Sequence, residues 1–459
     1  MASSSRVARG TAAATDQHIV KIIVTSTAGT MIEWYQFYIF GSLASTIASK
    51  FFQTGTPLGD IIAWLAVFAV GFIARPFGAM FFGRFGSLIG RENTFMVTMS
   101  VMGACTFAVG LLPTAETLGA AAGIILIVLR ILQGLALGGE YSGAVTYIAE
   151  HAPQNKRGLY TSFIQTTATV GFFLSLGVIL ITRLALGEAG FDAWGWRVPF
   201  LLAIFLIAIS IYIRSSVKDS PFFLRLKSID QTAKDPVKES LTNPVNLRFV
   251  LLAIFGATMG QGVIWYTGQF YALYYLQNIL QVPLVASNLI VGGAILLATP
   301  LFILTGWLSD KIGRKWMILS SMALAALTYY SIYAAMAGFG PFIGNPADKL
   351  ANPNYSPFML GVLVFVQMIY VTLAYGPIAA YLVEMFPTRI RYSSMSLPYH
   401  LGNGVFGGVV PLIGLIIIQA SGDSLAGLYY SITIATICLI IGAIFLRDTK
   451  NVDITTKAW

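Results

Sequence analysis

Five ionisable side chains stand where charge is expensive. Glu33, Arg75, Arg130, Glu140 and His400 all lie within long apolar runs. A charge at the centre of a bilayer costs at least ~2.5–3.5 kcal/mol on insertion scales, so each is a functional candidate whose partner must be sought. The two glutamates and two arginines cancel in charge. Near a guanidinium, a buried carboxylate feels two opposed influences on its proton affinity, desolvation and attraction. A proton-carrying group needs that competition, and Glu33 and Glu140 are candidates for it. Arg130 suits an anionic substrate or a carboxylate on the first span; a fixed ion pair between helices is the alternative. His400 can donate or accept a hydrogen bond and titrates near neutral pH; it also fits as a packed histidine. Glu33, Glu140, Arg130 and His400 thus form the proton-coupling set. Glu140 follows Arg130 by ten residues, ~15 Å along a helix. That depth places it level with Arg75, and an Arg75–Glu140 pair is the expectation.

These groups need helices to hold them. The chain is 56% hydrophobic and only 10% charged, against about 25% charged in soluble domains. A water-soluble enzyme, a disordered chain and a nucleic-acid binder are excluded. The net charge of +9 is dispersed in short clusters between apolar runs. Twelve runs reach the ~20 residues that span a bilayer: 22–48, 58–82, 93–112, 119–149, 158–184, 197–214, 248–279, 285–307, 315–337, 357–383, 392–420 and 425–446. Of the 28 Lys and Arg, twenty-two fall on the N-terminal side, four on the other, and two, Arg75 and Arg130, within spans. The positive-inside rule then places both termini in the cytoplasm. Residues 1–21 read as a disordered tail, 22–214 and 248–446 as six-span bundles, 215–247 as a cytoplasmic linker and 447–459 as a cytoplasmic tail. Cys105 and Cys438 sit in apolar runs and suggest neither a disulfide framework nor a metal site. No H-E-x-x-H, nucleophile elbow or phosphate loop is present, so neither enzyme nor cofactor is expected.

The halves repeat one another. G-R-F-G-S-L-I-G-R-E at 83–92 aligns with G-W-L-S-D-K-I-G-R-K at 306–315. This pairs Gly83, Gly90 and Arg91 with Gly306, Gly313 and Arg314. Farther on, Glu150, Arg157 and Ser162 align with Glu384, Arg391 and Ser396. Two echoes at equivalent positions indicate duplication.

The loop at 306–315, with R-x-x-Q-G at Arg130, Gln133 and Gly134, resembles the major facilitator superfamily. A narrower resemblance, to its metabolite–proton symporters, rests on I-E-W-Y-Q-F-Y-I-F-G (32–41), R-P-F-G-A (75–79), G-L-A-L-G-G-E-Y (134–141), A-E-H-A-P (149–153), W-G-W-R-V-P-F (194–200) and L-V-E-M-F-P-T-R-I-R (382–391). That family resembles proline/betaine, shikimate, 2-oxoglutarate and citrate carriers. The resemblance implies an all-α membrane protein, twelve transmembrane helices in two pseudo-symmetric six-helix bundles. It implies proton-coupled symport of a small carboxylate or zwitterion by alternating access. The expected partners are this substrate, protons and lipids, the location a bacterial cytoplasmic membrane, and the functional unit a monomer. Gln36 and Ser87 stand where the family pattern has carboxylates. A facilitator or exchanger with weak or no proton coupling is therefore the alternative, and the first-half latch should be weaker.

Substrate candidates are Tyr35, Gln36, Arg130, Gln165, Gln261, Trp265, Tyr266, Gln269, Tyr370 and Asn403. They offer aromatic walls and a few orienting hydrogen bonds, although each fits helix packing as well. Gln261, Trp265 and Gln269 recur at helical spacing. The family pattern implies a cytoplasmic gate of Arg75, Gly83, Ser87, Gly90, Arg91, Glu150, Arg157, Gly306, Asp310, Gly313, Arg314, Glu384, Arg389 and Arg391.

Overall fold

Lipid offers backbone groups no hydrogen bonds, so long apolar runs must satisfy them internally, as helices. The computed structural model describes residues 22–24, 27, 30–89, 91–138, 140–214, 235–343, 350–388, 390–450 and 452–454; positions 45, 83–89, 91–93, 95, 210, 213 and 214 are described at the backbone only. Twelve helical spans follow in chain order: α1 (30–51, with a turn at Leu43), α2 (Pro57–Ile89), α3 (Arg91–Leu111), α4 (Ala120–His151), α5 (Gln154–Ala193), α6 (Val198–Arg214), α7 (Pro244–Ile279), α8 (Leu284–Ile312), α9 (Arg314–Gly338), α10 (Pro357–Met385), α11 (Arg391–Ser421) and α12 (Leu428–Phe445).

Most ends fall within a few residues of those expected from apolar runs, and the differences have local causes. α7 starts at Pro244 because the Asn243 side chain accepts from the Val245 and Asn246 amides, an N-cap followed by proline at the first helical position. α5 runs past the expected 184, with Gly187 at φ +68° interrupting it. α7 contains π-helical turns at Ile254–Thr258, Thr267–Tyr271 and Tyr275–Ile279, and α11 one at His400–Gly407. Such turns are frequent at functional sites.

Helix pairing carries the pseudo-symmetry. α2 packs on α4, α3 on α4 and α3 on α6; the second half repeats this as α8 on α10, α9 on α10 and α9 on α12. Between the halves, α2 meets α11 and α5 meets α8. Glycine sets the α2–α4 spacing: a Cβ at Gly134 would strike the Gly71 carbonyl, and one at Gly78 the Leu135 carbonyl. Small residues let transmembrane backbones approach this closely. Here the end of the bundle with the α2–α3, α4–α5, α8–α9 and α10–α11 turns is called the basic end. Residues 1–21 and most of the 215–247 linker lie outside the described residues.

Candidate functional site

The α1–α2 hairpin explains the first ion pair. Glu33 stands eighteen residues before Phe51 and Arg75 eighteen after Pro57, so in an antiparallel pair both lie ~27 Å from the turn. The structure joins them: Arg75 Nη1 is 3.2 Å from Glu33 Oε1, both buried. This corrects the expected Arg75–Glu140 pair, and no ion pair joins those two among the described residues. Glu140 is buried where α4 is interrupted after Leu137. Depth along α4 alone misses that Arg75 has a carboxylate nearer, on its own hairpin. Arg75 also lies over the Phe72 ring, 4.5 Å from its centroid.

Arg130 is held differently. Its Nη1 donates to Gln133 Oε1 at 2.8 Å, and Gln133 Nε2 donates to Thr106 Oγ1 at 2.7 Å. The guanidinium lies over Phe40 at 4.1 Å and Phe68 at 5.7 Å. Gly71 makes room: a Cβ there would stand 3.2 Å from Arg130 Nη2. No carboxylate among the described residues comes within ion-pair distance of Arg130, and its buried Nε has no hydrogen-bond partner. Glu33, Gln36, Arg75, Arg130 and Gln133 line one cavity of about 10 Å³, room for about one water. Its ions leave one positive charge over.

The second half supplies a polar, aromatic wall. Tyr38 donates to Gln269 Oε1 at 2.6 Å, linking α1 to α7. Trp265 packs on Trp34 at 5.0 Å and on Tyr375 at 4.2 Å, and Tyr375 donates to Asn403 Oδ1 at 2.8 Å. Tyr266 meets Phe72 edge to face. Gln165 Nε2 donates to the Tyr141 hydroxyl at 3.0 Å, and Tyr141 stacks on Tyr399 at 3.8 Å. His400 follows on α11, buried against Tyr399. Both amide atoms of Gln261, both ring nitrogens of His400, Trp265 Nε1 and the amide nitrogens of Gln36 and Gln269 are buried without partners. Buried polar groups are ordinarily satisfied. This concentration of spare donors and acceptors is what a polar ligand could use.

Two substrate candidates lie elsewhere. Tyr35 donates to the Pro199 carbonyl at 2.6 Å, tying α1 to α6. The Tyr370 hydroxyl accepts from Thr328 at 3.0 Å and belongs to the α9–α10 contact. Both side chains have the residue type for a site, but their helix faces point into packing. The sequence reading omitted Phe40, Phe68 and Tyr375 from the site; aromatic residues abound in every span, and no local signal separates these three.

At the basic end the duplicated residues pair across the halves. Arg157 Nη1 meets Glu384 Oε1 at 2.9 Å, and Arg391 Nη1 meets Glu150 Oε1 at 3.1 Å. Each half's arginine thus takes the other half's glutamate, the reciprocity expected of a two-fold interface. Arg314 reaches Asp310 at 2.8 Å and Glu384 at 3.1 Å. Asp310 also accepts from the Gly158 and Leu159 amides, both at 2.8 Å, capping the start of a helix in the opposite half. Gly158 and Gly306 let α5 and α8 touch: a Cβ on either would strike the other's carbonyl. Gly313, at φ +112°, takes the left-handed turn that joins α8 to α9. Arg75, expected in this gate, instead lines the central cavity with Glu33. Gly90 and Arg389 lie outside the described residues, as do the side chains of Ser87 and Arg91; Gly83 is described at the backbone only.

A strap unforeseen from sequence crosses this network. Thr449 donates to Glu384 Oε2 at 2.7 Å, the Val452 carbonyl accepts from Arg157 at 3.4 Å, and the Ile454 carbonyl accepts from Arg391 at 2.9 Å. Backbone carbonyls make two of these three contacts, so residue type gave little hint.

Comparison with known proteins accords with this geometry. Residues 21–248 match the family described as Sugar (and other) transporter, and 252–458 the Major Facilitator Superfamily. The chain is 31% identical to the inner membrane metabolite transport protein YhjE of Escherichia coli, over 89% of this chain and 90% of that one. It is 30% identical to a proline/betaine transporter of Salmonella typhimurium, covering 95% and 85% respectively. The solved proton:xylose symporter XylE superposes with a TM-score of 0.71 at 17% identity, over 96% of this chain and 98% of that one.

Proposed function

Because this chain belongs to the major facilitator superfamily, and is a membrane transporter rather than an enzyme, we propose that it carries a small carboxylate or zwitterion together with a proton by alternating access. Its place is a bacterial cytoplasmic membrane, with the basic end and both termini in the cytoplasm. The observation that carries the reading is Arg130, buried with no carboxylate partner among the described residues and turned into a cavity with one surplus positive charge. A substrate carboxylate supplies the missing anion. Arg130 then makes a charge-assisted bond while Gln133 keeps the guanidinium oriented. The spare amides of Gln36, Gln261 and Gln269 and the indole of Trp265 orient the remainder. A metabolite cannot fit in about 10 Å³, so entry requires the halves to part.

Glu33 is the proton carrier in this scheme. Protonation would free Arg75 from its only carboxylate among the described residues and couple the proton to the charge balance around Arg130. Gln36 cannot release a proton, and its presence favours the second reading, a facilitator or exchanger. Proteoliposomes distinguish them. Counterflow of carboxylates and betaines, chosen by a thermal-shift screen, tests carriage. An imposed pH gradient tests coupling: it should drive accumulation in the wild type but not in Glu33→Gln, which should keep counterflow. No counterflow with any ligand that binds would reject the carrier reading. Counterflow without pH-driven accumulation would select the facilitator.

A further inference from the structure

We propose that a cleft at the basic end, between the start of α7 and the end of α12, holds the headgroup of an anionic phospholipid. The cleft measures about 400 Å³. Val245, Arg248 and Leu252 form one wall, Phe445 and Arg447 the other, and Met385 closes the back. One exposed guanidinium therefore comes from each wall, and neither has a carboxylate within ion-pair distance among the described residues. Asp448, beside Arg447, is occupied otherwise: it accepts from the Lys315 and Lys450 amides.

The surroundings point to a lipid rather than a soluble anion. Below Arg248, Leu251 and Phe255 are exposed at three and seven residues' distance, on one helix face. On α12, Ile437, Ile440 and Ile444 form a second exposed stripe leading toward Arg447. Two apolar tracks thus run along the span from two cations at its end. Acyl chains fit the tracks, and a phosphodiester fits between guanidiniums that bind phosphate in a planar fork. Basic pockets between transmembrane helices at a membrane surface favour anionic headgroups. A zwitterionic headgroup brings an ammonium to a cleft that no carboxylate lines among the described residues.

This inference needs only the membrane placement that family membership establishes, not the proposed cargo. Native mass spectrometry of the purified full chain would count dioctanoyl phosphatidylglycerol bound, with phosphatidylethanolamine of equal chain length and inorganic phosphate as separate arms. Phosphatidylglycerol should bind the wild type more tightly than phosphatidylethanolamine. Removing a guanidinium should weaken that binding roughly five-fold in R248Q or R447Q, and roughly thirty-fold in R248Q/R447Q. R248K/R447K should retain most of it. Unchanged binding in the single variants would overturn the proposal whether or not the double variant folds. Inorganic phosphate displacing the lipid at equal concentration would overturn it as well, assigning the cleft to a soluble anion.

Discussion

The network at the basic end, the proposed gate, and the central cavity handle buried charge in opposite ways. At the gate, Arg157, Arg314 and Arg391 each reach a carboxylate, and Glu384 serves two of them. In the cavity, Glu33 neutralises Arg75 and leaves Arg130 to a glutamine amide and two aromatic faces. The lesson is one of roles. A charge-paired network draws its strength from its own members. A buried cation with no carboxylate partner among the described residues is complete only when something else arrives. The proposed alternating access would use both, with the network holding until the site is filled and then yielding.

The comparison can be broken first at Glu384. Glu384→Gln strands Arg157 and leaves Arg314 to Asp310 alone, and leaving a buried charge unpaired costs about 3–5 kcal/mol. Alkylation of a cysteine placed at Ser162 should accelerate sharply, and the melting temperature should fall. Unchanged accessibility would mean that packing, not charge, closes this end. Arg130→Gln should do the converse. Substrate binding should weaken about 30- to 1000-fold, the effect of truncating one partner of a buried charge pair by roughly 2–4 kcal/mol. Melting temperature without substrate should stay level or rise, since a costly buried charge is gone. A large loss of stability would recast Arg130 as structural. Gly158→Ala sharpens the picture at the basic end: a Cβ forced against the Gly306 carbonyl should cost about 1–3 kcal/mol, read as faster cysteine labelling with substrate affinity unchanged. The smallest effect belongs to the strap. Thr449→Val removes one hydrogen bond from Glu384, about 1 kcal/mol, and should raise the labelling rate about five-fold at most. No change would limit the strap to a covering role.

Much of the fold was legible in one dimension. Apolar runs located the twelve helices but not every end: α7 starts at Pro244, four residues before the expected 248, because Asn243 caps it. The ion-pair network at the basic end was partly legible, because the repeat placed Glu150 and Arg157 in register with Glu384 and Arg391. Its crossed pairing was not: those bonds join residues 227 and 241 positions apart. The cavity was readable by residue type more than by partner. Arg130, Gln36, Gln261, Trp265, Gln269 and Asn403 stand with spare or shared polar atoms, as their types suggested. Tyr35 and Tyr370 carry equally suitable hydroxyls but spend them between helices.

Hydropathy, helical period and capping act over a few residues, so the chain alone determined the twelve helices, their duplication and the short inventory of buried ions. Partner choice depends on the depth and crossing of helices far apart in sequence. Only tertiary packing could bring Glu33 level with Arg75, leave Arg130 without a carboxylate among the described residues, and draw the carbonyls of Val452 and Ile454 across the network at the basic end.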